Sequence, residues 1–332
     1  MIQRALGANG PQVSALGIGA MSFSNFYGPT DEAASHAILH RAMELGITQI
    51  DTANVYGMGA SETAIGTFFK ANPEAKDHFT LATKGAITRA PEGGNRFDNS
   101  FEHLSTALDE SLTRLGVEAV DLYYVHRRDA DVPIEEITGT MARLVEAGKI
   151  KSIGFSEIAP TTLRRAVSEH PIAAVQSEYS LQTRSPEQGL LQTCAHTGTA
   201  MVAFSPVGRG LLTDRPHSRE AAATMPFLKD NPRFLEPNLS ANIAATEPAR
   251  RLAADHGTSL ASLAIAWVLA QGDNIHAIPG TRSVAHLNEL FDGVALSQNS
   301  ALMAALETIL PVGWCHGERY SAAQWVGPEK YC

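Results

Sequence analysis

Four side chains from separate stretches of the sequence could together deliver a proton to an oxygen atom. They are the carboxylate of Asp51, the phenol of Tyr56, the amine of Lys84 and the imidazole of His126. A phenol has a pKa of about 10, which makes it a weak acid near neutral pH, and a nearby ammonium lowers that pKa. A carboxylate can supply the counter-ion of a buried lysine, and a neutral imidazole can orient a carbonyl oxygen. This combination predicts proton delivery to a developing alkoxide.

Short β-type runs alternate with helical segments along most of the chain. The eight β-type runs are residues 16–20, 46–51, 79–83, 121–125, 151–155, 173–176, 200–204 and 275–278. The predicted helices are residues 31–45, 101–115, 134–147, 160–170, 186–196, 241–256, 260–270 and 284–291, with another beginning near residue 61. Strict alternation predicts parallel strands, and eight such units favour a single-domain (β/α)8 TIM barrel in the α/β class. An open doubly wound sheet is the alternative.

The barrel explains how the four side chains could meet. In such barrels the reacting groups lie on the loops that follow the carboxyl ends of the strands. Asp51, Lys84 and His126 end the second, third and fourth predicted strands, and Tyr56 follows in the loop after Asp51. Each residue alone has a structural interpretation, as a loop cap, a surface charge or a satisfied core histidine. Their occurrence on consecutive strand ends favours the functional interpretation.

Three other segments have assigned places in this fold. Residues 2–16, with a turn at Asn9-Gly10, predict an N-terminal β-hairpin that closes the bottom of the barrel. A loop rich in Pro and Asn covers residues 208–240, and the C-terminal tail covers residues 311–332.

Composition argues against several classes of protein. The net charge of −9 disfavours a nucleic-acid-binding surface. The three cysteines are widely spaced and lack a CxxC pair, which disfavours a disulfide framework and a zinc site. No apolar signal core begins the chain, and the longest apolar run, residues 260–270, is short for a membrane span. The sequence predicts a cytoplasmic protein without a metal or a membrane partner.

Several motifs carry a family resemblance. In chain order they are DTANVYG (51–57), ATK (82–84), DLYYVHR (121–127), GKIKSIGFSE (148–157), VQSEYS (175–180), AFSPVGRGLL (203–212) and IPGTRSVAHLNE (278–289). This ordered set resembles the aldo-keto reductases. The ending GERYSAAQ (317–324) is similar to the bacterial, plant and fungal pyridoxal and perakine reductase-like branch.

The resemblance implies a reaction, in which a hydride moves from NADPH to an aldehyde or ketone while Tyr56 protonates the oxygen. Ser156 and Gln176 would then bind the nicotinamide carboxamide, and Phe204 would stack on its ring. Further cofactor contacts are implied at Met21, Ser205, Val207, Gly208, Arg209, Gly210, Gly280, Thr281, Arg282, Ser283, His286 and Glu289. A guanidinium with hydroxyl neighbours suits the 2′-phosphate, which favours NADPH over NADH.

Four positions depart from the pattern of the family. Glu157 stands where many members have Asn, although the branch named above often has Glu. His286 replaces Arg or Gln, Leu290 replaces an Asn that commonly contacts adenine, and Phe204 replaces Tyr. These differences bear on cofactor preference and leave the four candidate catalytic residues unchanged.

The substrate pocket is expected near the four candidate catalytic residues. Its candidate lining residues are Met21, Phe23, Phe26, Tyr27, Val55 and Arg127. Loop 208–240 is expected to border the substrate and the cofactor, and residues of this loop and of the tail, Trp314 among them, are expected to close the pocket. This lining favours a small apolar or aromatic carbonyl substrate. The alternative function is a barrel that holds NADPH and regulates a partner, as in potassium-channel β subunits. A metal-dependent hydrolase lacks a ligand cluster, and the sequence leaves the oligomeric state open.

Overall fold

The barrel strands lie in chain order around a closed sheet. A computed structural model describes residues 1–89 and 93–331. The strands are β1 (Gln3–Ala5), β2 (Gln12–Ser14), β3 (Ile18–Gly19), β4 (Gln49–Asp51), β5 (Thr80–Gly85), β6 (Ile87–Arg89), β7 (Asn95–Phe97), β8 (Leu122–Val125), β9 (Ile153–Ser156), β10 (Ile172–Glu178), β11 (Ala200–Phe204) and β12 (Ile275–Ala277). In this part of the chain β3, β4, β5 and β8–β12 form one parallel sheet. Leu16 pairs in parallel with Ala277, and the amide of Gly17 donates to the Ala277 carbonyl at 2.8 Å. These contacts join the two ends of the sheet, and the predicted (β/α)8 barrel is confirmed.

Helices follow most of the barrel strands. They are α1 (Glu32–Glu44), α2 (Ala60–Ala71), α3 (Ala75–His78), α4 (Phe101–Leu115), α5 (Ile134–Glu146), α6 (Pro160–Glu169), α7 (Leu190–Thr197), α8 (Arg219–Thr224), α9 (Asn238–Asp255), α10 (Leu260–Ala270), α11 (Val284–Leu296) and α12 (Ser300–Ile309). Helix α4 illustrates why local sequence sets the bounds. The Ser100 side chain caps its first turn, Leu104 and Leu112 are buried on one face, and Gly116 ends it at φ 66°. Its predicted range is confirmed.

The N-terminal hairpin covers the amino ends of the barrel strands. Strands β1 and β2 pair antiparallel, and the buried side chains of Leu6 and Val13 pack among residues of the barrel interior. The Arg4 guanidinium donates to the carbonyls of Ile275 and Leu269, where the chain enters β12. The predicted hairpin and its place at the bottom of the barrel are therefore both present.

Five elements differ from the sequence prediction. Strands β6 and β7 form a small antiparallel sheet after β5. Helix α8 lies inside the predicted loop 208–240, where Ser218 caps its first turn, and α9 begins at Asn238 before that loop was expected to end. Helix α12 was not predicted, although Asn299 caps it and Leu302 and Leu306 are buried beneath it. Strands β6 and β7 have three residues each and α8 has six, and apolar periodicity is weak over so few residues.

No single helix within residues 1–89 and 93–331 has the length and apolar composition needed to cross a membrane. By length and composition only, α9 and α10 together would be long and apolar enough to cross a membrane, and the two helices meet at a bend of 93°.

Candidate active site

The four candidate catalytic side chains meet at the carboxyl ends of β4, β5 and β8. The Lys84 ammonium donates to a carboxylate oxygen of Asp51, to the Thr52 carbonyl at 2.8 Å and to the Tyr56 hydroxyl at 3.2 Å. The Tyr56 and His126 rings lie edge to face, with centroids 5.9 Å apart and planes at 83°. Neighbouring strand ends bring these residues together because the parallel strands are paired in register.

Burial decides the protonation of this group. The Lys84 side chain is fully buried, which by itself lowers its pKa, but the charges of Asp51 and Tyr56 outweigh burial and raise it. Burial also raises the pKa of Tyr56, and the opposing effect of Lys84 is smaller. The ammonium of Lys84 lowers the pKa of Tyr56, as the sequence argument expected, but desolvation is the larger effect and the net shift is upward. Burial, aided by Arg127 and Lys84, holds the pKa of His126 well below its usual value.

A long cavity runs from these residues across the mouth of the barrel. Its volume is about 1680 Å³, above the usual size of about 300–1,000 Å³ for a small-molecule site. The lining includes most of the candidate cofactor and pocket residues: Met21, Tyr27, Arg127, Ser156, Gln176, Phe204, Ser205, Val207, Arg209, Gly210, Gly280, Thr281, Arg282, Ser283, His286 and Glu289. Phe26, Val55 and Leu290 also line it.

Three candidates lie elsewhere among the described residues. Phe23 is 5% exposed and packs in the hydrophobic core, because the 3-10 helix Ala20–Ser24 directs Met21 toward the cavity and Phe23 away from it. Gly208 lies behind the wall, where a Cβ atom would stand 2.7 Å from the Gln182 side chain. Trp314 donates to the Leu181 carbonyl at 2.8 Å and packs against the core. Its predicted closing role is therefore wrong.

Two residues expected to bind nicotinamide are bonded to other protein groups. The Gln176 amide donates to the second carboxylate oxygen of Asp51 at 2.7 Å. Arg127 donates to the Ser156 hydroxyl at 3.0 Å and to the His126 carbonyl at 2.6 Å. Gln176 thus holds Asp51 from the side opposite Lys84, a contact that sequence reasoning missed. The chain carries no local signal for it, since the two residues are 125 positions apart.

A second group of buried charges lies beside the cavity, and we name it the arginine cluster. Its members are Glu157, Glu178, Arg209, Arg233 and Arg319. Arg209 donates to Glu178 at 2.5 Å, while Arg233 and Arg319 approach the same carboxylate at 3.6 and 3.7 Å. These arginines hold the pKa of Glu178 below its usual value although burial opposes them. The Arg209 side chain, expected to contact the cofactor, is paired with Glu178.

The far end of the cavity is formed by the start of α11. Its first residues follow Ser283, whose side chain makes no capping hydrogen bond. The Thr281 hydroxyl accepts from the Ser283 amide at 3.1 Å, and the exposed Arg282 side chain donates to the Pro29 carbonyl at 3.1 Å. An uncapped helix start beside a guanidinium can bind an anion. Leu290 is 4% exposed and adds an apolar wall.

The sequence argument expected the long loop and the tail to close the pocket, but it did not name the residues that do so. Phe227 and His217, from the long loop, and Tyr320 and Gln324, from the tail, line the cavity. No local pattern identifies them, because loops without regular structure reach the cavity only through tertiary contacts. Among the described residues, no group of three or more His, Cys, Asp or Glu side chains could hold a metal ion.

Comparison with known proteins identifies the family. The model of the aldo/keto reductase family matches residues 15–310. The chain is 38% identical over 312 residues to the aldo-keto reductase yakc of Schizosaccharomyces pombe, covering 93% of this chain and 92% of that protein. It is 38% identical over 316 residues to the probable aldo-keto reductase 1 of Glycine max, with coverages of 95% and 90%. The chain belongs to the aldo/keto reductase family, an oxidoreductase family, and the resemblance found in the sequence is confirmed.

A solved structure agrees with this assignment. The glycerol dehydrogenase from Gluconobacter oxydans matches with a TM-score of 0.80 and 26% identity, covering 93% of this chain and 94% of that one.

Proposed function

We propose that this oxidoreductase uses NADPH to reduce aldehydes or ketones to alcohols, with Tyr56 as the general acid. The observation that carries the proposal is the position of the Lys84 ammonium, which bonds both Asp51 and the Tyr56 hydroxyl at the floor of the cavity. A phenol that must release its proton to an alkoxide needs a cation to stabilise the phenolate left behind. Lys84 supplies that cation, and Asp51 compensates its charge.

The proton step follows from the protonation states. The raised pKa of Tyr56 keeps its proton in place at neutral pH, so the acid is loaded before the substrate arrives. His126 stays neutral because its pKa is lowered, so one ring nitrogen can donate a hydrogen bond to the carbonyl oxygen and hold it near the Tyr56 hydroxyl. The proton then moves from the phenol to the oxygen, and Lys84 stabilises the phenolate.

The cavity fits a dinucleotide in its size and its chemistry. Ser156, Gln176 and Phe204 would hold the nicotinamide end, while Arg282 and the uncapped start of α11 would hold a phosphate at the other end. When bound, the reduced nicotinamide supplies the hydride. Gln176 would have to share its amide between Asp51 and the cofactor, since its present hydrogen bond is to Asp51.

We further propose a preference for NADPH over NADH. Arg282 is a cation with hydroxyl groups beside it, a combination that suits a 2′-phosphate, and the Schizosaccharomyces pombe relative is named as an NADP(+) enzyme. Arg282→Ala should therefore raise the dissociation constant of NADPH by about tenfold or more and leave that of NADH almost unchanged. Titration of cofactor fluorescence measures both constants, and equal losses would refute the preference.

Tyr56→Phe tests the catalytic role. The variant keeps the ring and loses the proton, so aldehyde-dependent NADPH oxidation should fall by about 10²-fold or more, while the dissociation constant of NADPH stays within about twofold. Tyr123→Phe is the matched control because its hydroxyl bonds the Leu104 carbonyl and does not line the cavity, and it should keep most of the activity. Unchanged turnover in Tyr56→Phe would overturn the mechanism. Tight NADPH binding without turnover in the unmodified protein would favour the regulatory alternative.

A further inference from the structure

Glu157 stands next to a proposed nicotinamide ligand, yet its side chain is bonded to the C-terminal tail. It follows Ser156 directly at the end of β9 and has a left-handed backbone conformation, with φ 60°. One carboxylate oxygen accepts from the Glu178 amide at 2.9 Å and from Arg319 at 3.1 Å, and the other accepts a second bond from Arg319. The two side chains are 3% and 9% exposed. Both oxygens of Glu157 are therefore occupied by the protein itself.

Arg319 begins a stretch of the tail that is anchored at both ends. At the far end, Glu329 accepts from Arg128 at 2.5 Å and from the Thr162 hydroxyl at 2.6 Å. Its amide donates to the Glu157 carbonyl at 2.8 Å. Glu157 is thus in contact with both ends of the stretch 319–329, through its side chain at one end and its backbone at the other.

The stretch between these anchors forms part of the cavity wall. Tyr320, Ala323, Gln324 and Val326 line the cavity. The Arg319 guanidinium lies 4.6 Å from the Tyr320 ring centroid and 4.8 Å from that of Trp325. The ion pair of Arg319 with Glu157 therefore fixes the start of this stretch, and the stacking of the guanidinium on Tyr320 and Trp325 fixes those two rings.

We propose that Glu157 and Arg319 are a positioning pair that fixes the tail as the wall of the carbonyl pocket, and that Glu157 does not serve the cofactor. The proposal rests on the proposed function, which makes this cavity the reaction site. It also explains two separate features of the sequence together. The acidic residue at position 157 and the arginine of the GERY ending at 317–320 are the two partners of one buried bidentate pair.

The test uses the full chain and two aldehydes of different size. Arg319→Met and Glu157→Gln each remove the ion pair and keep much of the side-chain volume. With 4-nitrobenzaldehyde, which reaches the wall, we expect KM to rise about tenfold. With propanal, which is too small to need the wall, KM should change less than about twofold, as should kcat and the dissociation constant of NADPH.

Two control variants separate positioning from general destabilisation. Arg184→Met breaks a less buried pair with Glu187, away from the cavity, and should leave the KM ratio of the two aldehydes unchanged. Arg319→Lys keeps the charge and should restore part of the lost affinity for 4-nitrobenzaldehyde. An equal rise of KM for both aldehydes, no rise for either, or a weakened NADPH affinity in Glu157→Gln would overturn the proposal.

A measurement without turnover keeps the test independent of the reaction. In Glu157→Gln, amide hydrogen exchange should accelerate across residues 319–329 and stay unchanged in the barrel strands, whereas Arg184→Met should leave that stretch as it is. Unchanged exchange in 319–329 would overturn the positioning pair. If Tyr56→Phe disproves the proposed reaction, hydrogen exchange still decides whether Glu157 and Arg319 hold the wall.

Discussion

The two buried charge clusters beside the cavity are built from different cations and behave differently toward protons. Lys84 is compensated by Asp51 and touches Tyr56, so the first cluster has balanced charges and a group whose proton can move. The arginine cluster sets three guanidinium groups against the carboxylates of Glu157 and Glu178. Guanidinium groups do not release protons in proteins and present a planar fork of donors. The first cluster is therefore suited to chemistry, and the second is suited to holding chain segments in fixed positions.

The largest expected effect comes from removing the lysine. Lys84→Met should lower the turnover of aldehyde by about 10³- to 10⁴-fold, or about 4 to 5.5 kcal/mol, because the phenolate loses its cation. Steady-state NADPH oxidation measures it. Lys151→Met is the matched control, since that lysine is paired with Asp121 on the surface. If the turnover of Lys84→Met stays within tenfold of that of the unmodified protein, the Lys84 cluster is not the one that carries the chemistry.

In the arginine cluster the expected loss is one of stability. Glu178→Gln leaves buried guanidinium groups without their shared carboxylate and should lower the free energy of unfolding by about 3 to 5 kcal/mol. Denaturant unfolding measures it. Glu135→Gln, whose carboxylate pairs with Arg165 at the surface, should change stability little. A similar small change for Glu178→Gln would show that this cluster does not hold the fold.

A third expected effect concerns the opposite end of the barrel. Burial lowers the pKa of His276 from 6.5 to about 4, and the ring is bonded to Gln49 at 3.1 Å. The unfolded chain therefore binds the proton first, so stability that is present above pH 6.5 is lost as the pH falls toward 4. The loss amounts to about 3 kcal/mol.

The His276 prediction is measured as a difference between two proteins. His276→Asn removes the titrating group, so the gap in unfolding free energy between the unmodified protein and this variant should narrow as the pH falls from 7 to 4. Parallel curves over this range would contradict the prediction. Turnover need not follow this titration, because the hairpin end lies away from the cavity.

The smallest expected effect is that of the amide that holds Asp51. Gln176→Leu removes the 2.7 Å bond to the second carboxylate oxygen, and turnover should fall by about tenfold, or about 1.4 kcal/mol, as for a typical hydrogen bond to a charged group. Saturating NADPH separates this effect from any loss of cofactor affinity. Gln192→Leu, a surface amide on α7, is the control. Equal kcat values for both variants would show that the bond from Gln176 to Asp51 does not support turnover, and would leave Gln176 with a role in cofactor binding only.

Prediction from the sequence succeeded where local patterns are strong. The range of α4 was predicted from the sequence, and the structure places Ser100 and Gly116 at its two ends. The meeting of Asp51, Lys84 and His126 followed from strand order, because consecutive parallel strands place their carboxyl ends side by side. Phe23 was assigned to the pocket and lies in the core, since one turn of 3-10 helix reverses the direction in which neighbouring side chains point.

The sequence by itself determined the family, the closed barrel and the identity of the four candidate catalytic residues. The alternation of apolar and polar residues and the order of the motifs can both be read directly along the chain. Only the tertiary structure decided the proton affinity of Tyr56, which depends on how much water the fold excludes. It alone also decided the contact of Gln176 with Asp51 and that of Arg319 with Glu157. These partners are more than a hundred residues apart, and no spacing along a chain encodes which distant loop will fold back to meet a given strand end.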